Sequence, residues 1–453
     1  MEIFALPVGE RFLIYAPLHA LTALVDRPAL HCLQAGGQAL DPIPAALQPI
    51  VRRLQTPPQT LTPRSGPLDA PLFLGLIPTR GCNLGCRYCD FAAPKQASPV
   101  MDLGLARAAL EAYFALLRAA GRRRAEIHFF GGEPFYAGAV VHFAVEQAAA
   151  RAAELGLSVR FEATTNGLYS AARCRWIADR FDTLVLSLDG PPEVQERQRP
   201  ALNGRPAAAL VIRNAKILSD GPVELILRAC VTSETVARMP ATAEWIGREF
   251  RPAAVCFETL TTSAQSEAAG LTPPDPWEFA RGFDAAAQIL NAQGVEAVLS
   301  TADLRAPRLS FCPVGGDALI VSPDGTVAGC YLLAEEWARR GLDMRLGRLN
   351  GRGFEIDPAA SARLRNLTVL DRPLCAECFC RYHCAGGCHV HHDTSAPAGR
   401  YDAVCIQTRL VTVTTLLRRL GQHDLAAAWL RDRAAAEAAA WQRSDRLDLL
   451  EAR

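Results

Sequence analysis

From about residue 72 the chain alternates short apolar runs with longer stretches in which apolar positions recur every three or four residues. The runs near 72–78, 125–130, 158–164, 183–188, 223–231 and 253–258 read as strands. The stretches near 102–120, 137–155, 172–181, 206–219 and 236–250 read as amphipathic helices between them, with another after the sixth strand near 276–292. A helix between successive strands is the crossover that parallel pairing requires, so the alternation predicts a parallel sheet, open and doubly wound or curved into a barrel. Six units make a partial barrel. Ahead of it, Phe12-Leu13-Ile14-Tyr15 and Leu21-Thr22-Ala23-Leu24-Val25 belong to a small leading module that ends in a linker marked by Pro57-Pro58, Pro63 and Gly66-Pro67. Beyond about 305 the pattern gives way to cysteines, glycines and short elements, and from about 404 to Ala- and Arg-rich helical sequence. The expected division is therefore 1–70, 71–304, 305–420 and 421–453.

A chain of 453 residues is long enough for several cores. Its charges balance, 48 Lys plus Arg against 47 Asp plus Glu, so electrostatics gives no reason to expect nucleic acid or a membrane surface as partner. Arg122-Arg123-Arg124, the densest basic run, reads as a solvated helix end. No apolar run approaches membrane-spanning length, and Met1-Glu2-Ile3-Phe4 lacks the pattern of a secretory signal, so a soluble, cytoplasmic protein is expected. In that compartment 15 cysteines argue for metal or redox chemistry rather than disulfides.

Three of them, Cys82, Cys86 and Cys89, stand in C-x3-C-x2-C spacing directly after the first predicted strand. Three thiolates on a four-iron cubane leave one iron uncovered, whereas zinc favours paired C-x2-C units with a fourth ligand. Gly131-Gly132-Glu133-Pro134 follows the second strand, Thr165-Asn166-Gly167 the third, and Ser187-Leu188-Asp189-Gly190-Pro191 ends the fourth, where barrel enzymes keep their active sites. The glycines read as places where a ligand nears the backbone, and Glu133 as an acceptor for a ligand ammonium.

The cysteine loop, with Tyr88 before its third cysteine, resembles the cluster-binding loop of the radical S-adenosylmethionine (SAM) superfamily, and Gly131 to Pro134 matches the GGEP motif of that family. The resemblance implies a partial (β/α)6 TIM barrel and an open iron of a 4Fe-4S cluster chelated by SAM. It further implies reductive cleavage to a 5'-deoxyadenosyl radical, with an external donor such as flavodoxin or ferredoxin supplying the electron. Tyr88, Gly131, Gly132, Glu133, Pro134, Thr165, Asn166, Ser187, Asp189 and Arg199 are the SAM-pocket residues it implies. Relatives carry a histidine between Pro191 and Arg199, and this chain has glutamines there. Arg199 is thus read either as a ligand contact or as a surface ion pair.

A second array, Cys312, Cys330, Cys375, Cys378, Cys384, Cys388 and Cys405, resembles the SPASM domain that follows the barrel in many radical SAM maturases. The resemblance implies two auxiliary 4Fe-4S clusters, three clusters in all: Cys375, Cys378, Cys384 and Cys405 on one, and Cys312, Cys330 and Cys388 on the other. The second then lacks a fourth ligand, because Pro313 to Gly329 contains no cysteine. Cys380 is a spare, a free thiol or that ligand. Cys32, Cys174, Cys230 and Cys256 read as buried structural thiols, and His389, His391 and His392 as outer-shell or surface groups.

SPASM-bearing relatives act on peptides or proteins, and residues 6–47 resemble their leader-recognition modules. The expectation is a maturase that oxidises or cross-links a ribosomally made precursor peptide. A sulfatase-type residue oxidase is the alternative within the class. A non-catalytic Fe-S scaffold or electron carrier is the alternative outside it, and the SAM-pocket motifs weigh against it.

Overall fold

The computed structural model describes residues 2–35, 44–66, 68, 71–91, 98–392 and 401–441. It begins with an antiparallel sheet of β1 (Phe4–Val8), β2 (Arg11–Ala16) and β3 (Leu21–Val25), followed by helices α1 (Arg27–Gln34) and α2 (Gln48–Gln55). Pleating sends alternate side chains to opposite faces. Ile3, Ala5, Ile14 and Ala16 pack under the two helices, while Phe4, Leu6, Val8, Leu13 and Tyr15 enter the main core. The leading module is buried on both faces of its sheet.

Seven strands then pair in parallel, each beside the next in sequence: β4 (Leu74–Leu76), β5 (Arg124–Phe129), β6 (Ser158–Thr165), β7 (Thr183–Ser187), β8 (Glu224–Val231), β9 (Ala254–Thr259) and β10 (Glu296–Val298). Between them run α3 (Leu103–Ala119), α4 (Gly138–Leu155), α5 (Ala171–Arg180), α6 (Pro192–Gln198), α7 (Ala208–Ser219), α8 (Met239–Glu249), α9 (Ala264–Ala268) and α10 (Pro276–Asn291). The six predicted strands and six predicted helices are all present. β10 has no counterpart among them: three residues are too few to show a period.

The cysteine-rich region does not form a sheet of its own. Its β11 (Leu319–Val321) pairs in parallel with β4, Ile320 opposite Gly75, and β12 (Thr326–Ala328), β13 (Arg345–Asn350) and β14 (Gly353–Ile356) extend that edge antiparallel. Short helices α11 (Ala334–Ala338), α12 (Pro358–Arg365) and α13 (Arg381–Cys384) follow. Then α14 (Ala403–Arg419), α15 (His423–Arg431) and α16 (Arg433–Trp441) cover α10 and the cysteine array. The expected C-terminal helical segment thus holds α15 and α16, and residues 442–453 lie outside the described part. Among the described residues no helix is long and apolar enough to cross a membrane.

Candidate active site and cysteine clusters

The predicted motifs stand at the ends of β4 to β7. After β4 the chain turns through Thr79-Arg80-Gly81 into the cysteine loop, and the GGEP turn holds it by main-chain bonds, Gly132 N–H to Thr79 O (3.2 Å) and Glu133 N–H to Gly81 O (2.9 Å). A Cβ on Gly132 would stand 2.2 Å from Gly81 O and 2.3 Å from Arg80 O, and one on Gly131, at φ 142°, would stand 2.5 Å from Thr79 O. The motif suggests a ligand approaching these glycines. What approaches them is the backbone of the cysteine loop.

Glu133 is likewise engaged within the protein. Its buried carboxylate accepts from Thr165 Oγ1 (2.8 Å), the Asn166 backbone N–H (2.7 Å) and the Phe135 N–H (3.1 Å). Burial pushes its pKa up to about 7 against those donors. Asn166 Nδ2 donates to Asn83 Oδ1 (2.8 Å) and to Cys82 Sγ (3.4 Å), and Asn83 Nδ2 donates to Leu168 O (2.8 Å). The ends of β5 and β6 therefore grip the first cysteine.

Asp189 organises the other side. Its side chain is fully buried and its two oxygens accept from Tyr88 Oη (2.5 Å), Gln198 Nε2 (2.9 Å), Arg199 Nε and Nη2 (2.9 and 3.1 Å) and the Cys230 N–H (3.0 Å). Arg199 is not a surface ion pair. It is a buried bidentate partner of Asp189, with its guanidinium carbon 5.1 Å from the Tyr88 ring centroid and Nη1 3.9 Å from Cys86 Sγ. Gln195 and Gln198, where relatives have a histidine nearby, brace the same network: Gln195 Oε1 accepts from the Asp189 N–H (2.9 Å) and its amide donates to Ser187 O (3.4 Å). Sequence reasoning missed Asn83, Gln195 and Gln198, because an amide's role depends on which partners the fold brings to it.

Burial raises the Cys82 thiol to about 11 and the Cys86 thiol to about 12, with Cys89 adding to each. Thiols raised in this way, as those of Cys82 and Cys86 are, stay neutral until a metal displaces their protons, which suits a buried cluster site.

The C-terminal cysteines separate into two groups. Cys375, Cys378, Cys384 and Cys405 line one internal cavity with Cys380, His392, Tyr401 and Arg409. Cys312, Cys330 and Cys388 form the other, burial and the two neighbouring thiols raising Cys312 to about 12. Cys380 lies with the first group, where it hydrogen-bonds Cys378, and that bond with the charge of Arg409 lowers Cys378 to about 5. It is not placed to complete the second group.

Of the histidines read as outer-shell or surface groups, His389 and His391 are half-buried. His392 is buried, 3.3 Å from Cys405 Sγ and 3.1 Å from Asp402. His391 stands 3.9 Å from Asp90, next to Cys89, and Arg80 Nη1 donates to Tyr331 O (2.6 Å), next to Cys330. These two links set the second group against the cysteine loop. Of the isolated cysteines only Cys174 is fully buried; Cys230, near the end of β8, and Cys256, within β9, are half-buried, with Cys256 donating to Glu258 (3.0 Å), and Cys32 is half-buried in the leading module.

Residues 76–246, from β4 into α8, match the radical SAM superfamily profile. These residues form a radical SAM domain. It is 26% identical over 361 residues to a serine-type anaerobic sulfatase-maturating enzyme of Klebsiella aerogenes, which covers 75% of this chain and 84% of that protein. Among solved structures, native anSMEcpe with bound AdoMet and Cp18Cys peptide superposes with a TM-score of 0.60 at 18% identity, over 79% of this chain and 99% of that one. Streptococcus suis SuiB bound to precursor peptide SuiA superposes at 0.50 and 13% identity, over 86% and 94%. This chain thus shares its fold with both.

Proposed function

We propose that this protein is a radical SAM peptide maturase: it binds SAM at the cluster held by Cys82, Cys86 and Cys89 and abstracts a hydrogen atom from a residue of a ribosomally made precursor peptide. The observation that carries the reading is the gripping of the cysteine loop from three strand ends, by Glu133 with Asn166 on one side and Asp189 with Arg199 on the other. When bound, the cluster and SAM together supply the 5'-deoxyadenosyl radical that accepts the hydrogen.

The chain's own residues perform the remaining tasks. Gly131 and Gly132 let the GGEP turn close on the cysteine loop, Asn166 donates to Cys82, and Arg199 places positive charge beside Cys86. Ser187, half-buried at the end of β7, and Thr165 and Asn166 at the end of β6 are the residues we assign to holding SAM. Cys375, Cys378, Cys384 and Cys405 fit one auxiliary cluster and Cys312, Cys330 and Cys388 a second, for a total of three. An external one-electron carrier reduces the first.

A peptide substrate is supported by the relatives, one of them named for maturating sulfatases and two seen with peptides bound. A precursor peptide rather than a sulfatase is favoured by the wider likeness to SuiB, whose alignment covers 86% of this chain against 79% for anSMEcpe. Sulfatase-type oxidation of a single residue is the second reading, favoured by the identity to the Klebsiella enzyme. Anaerobically reconstituted protein should cleave SAM to 5'-deoxyadenosine with dithionite, and mass spectrometry of a co-expressed precursor peptide should show loss of hydrogen at one residue. A loaded protein that cleaves no SAM overturns the reading; modification of a sulfatase peptide but no precursor peptide selects the second.

A further inference from the structure

The largest fully buried side chain among the described residues is that of Arg409, 1% exposed. Burying a guanidinium is costly unless partners offset it, so its surroundings say what it is for. Arg409 follows Cys405 by four residues on α14, and residues four apart share a helix face, so the face that carries Cys405 into the array brings the cation with it. Its Nη1 donates to Cys378 Sγ (3.1 Å) and its Nε to Ala440 O in α16 (2.6 Å). The guanidinium carbon lies 4.3 Å from the centroid of the Phe379 ring and 4.4 Å from that of Tyr401. Two cation–π contacts and a main-chain anchor thus fix the charge beside the sulfur.

Negative charge is disfavoured elsewhere in this cavity. Burial raises the Cys375 thiol to about 12 and pushes Cys384 up as well, whereas Cys378, which Cys380 and Arg409 both contact, moves the other way. A four-iron cluster on four thiolates is doubly negative when oxidised and triply negative when reduced. The reduced state is therefore the one that burial opposes and a fixed cation favours, and hydrogen bonds to the sulfurs act in the same direction.

We infer that Arg409, acting through Cys378, raises the reduction potential of the cluster on Cys375, Cys378, Cys384 and Cys405, so that this cluster takes up an electron more readily than four buried thiolates alone would allow. The inference rests on the reading of these cysteines as an auxiliary cluster site. Arg409 touches a ligand and no reacting atom, so it is a positioning residue. In the step one electron enters the cluster from an external reductant, no bond forms or breaks, and the guanidinium keeps its protons. The competing role is that of a clip holding α16 through Ala440 O, and it predicts a different result.

The test is a redox titration of the reconstituted holoprotein with dithionite as reductant, followed by paramagnetic resonance. The signal of this cluster is the one that Cys384→Ala removes. Arg409→Gln should make its reduction at least tenfold less favourable, a fall in midpoint of about 59 mV for one electron, with iron content and the remaining signals unchanged. Arg409→Lys keeps the charge without the planar fork and should recover most of that shift. A clip alone would lower the melting temperature of both variants and leave the midpoint where it was. The inference is overturned by an unshifted midpoint in Arg409→Gln, by an equal shift in both variants, or by loss of this cluster's iron from the glutamine variant, which would make Arg409 part of the site's framework. If Cys384→Ala removes neither iron nor signal, the cluster assignment itself fails and the inference falls with it.

Discussion

Glu133 and Asp189 are the two carboxylates whose neighbours could not be foreseen. Each is expected to line the SAM pocket, and each accepts three or more hydrogen bonds from the protein itself. Removing one partner of a buried charge-assisted bond leaves the other unsatisfied, at a cost of about 1–3 kcal/mol. Glu133→Gln turns an amide N–H toward the Asn166 N–H, two donors facing each other, so SAM cleavage should drop at least tenfold, with slower iron incorporation in the same preparation. Asp189→Asn should do comparable damage by freeing Arg199 from its bidentate partner. A variant of either kind with unchanged cleavage and iron content would show that these contacts do not hold the loop. The residue types and their spacing in sequence were enough to find both positions. Apart from the Phe135 N–H, their partners come from the cysteine loop and from in or just after α6, β6 and β8, and no local signal reveals which atoms will meet.

At the scale of elements, strands and helices were legible because burial imposes periods of 2 and 3.6 on any sequence that must cover a core. The strand β8 shows the alternation, with Leu225, Leu227, Ala229 and Val231 buried and the residues between them less so. Two consequences can be measured. Gly132→Ala places a methyl group against the Gly81 and Arg80 carbonyls, contacts at 2.2 and 2.3 Å that backbone cannot relieve cheaply, so reconstituted protein should lose about four irons with its helices intact by circular dichroism. His128 on β5 concerns stability: its ring stacks on Phe73 at 4.1 Å, and burial, with Arg160 of β6, holds its pKa down to about 4 although Glu126 and Glu162 stand 3.8 Å away. An unfolded histidine titrates near 6.5, so between about 6.5 and 4 the unfolded state takes up a proton that the folded state refuses, and stability falls as pH drops through that window. The loss amounts to about 3 kcal/mol at the low end. Urea midpoints of His128→Gln should therefore fall less between pH 7 and pH 5 than those of the unmodified protein.

Across the whole molecule, the cysteine groups join segments that are distant in sequence. Cys405 opens α14 beside Cys375, Cys378 and Cys384, and Arg409 on the same helix donates to Cys378 Sγ (3.1 Å) and to Ala440 O (2.6 Å). Reconstitution should load about twelve irons, the Cys82, Cys86, Cys89 triple alanine variant should lose about four, and Cys384→Ala should lower the melting temperature as well as the iron count, because metal binding and folding are coupled. Cys380→Ala should keep the iron of the Cys312, Cys330 and Cys388 group, since Cys380 lies with Cys378; loss of that iron by Mössbauer or paramagnetic resonance spectroscopy would place it in the other group. The sequence by itself determined the alternation of strand and helix, the thiol triad, the glycine turn and the seven C-terminal cysteines, because periodicity and ligand spacing are properties of a single stretch of chain. Only the tertiary structure decided that β11 of the cysteine-rich region continues the barrel sheet, that both faces of the leading sheet are buried, that Arg199 answers to Asp189, and which group Cys380 joins. Those outcomes depend on surfaces meeting across tens or hundreds of residues, where burial and hydrogen-bond satisfaction select the partner and no short pattern encodes it.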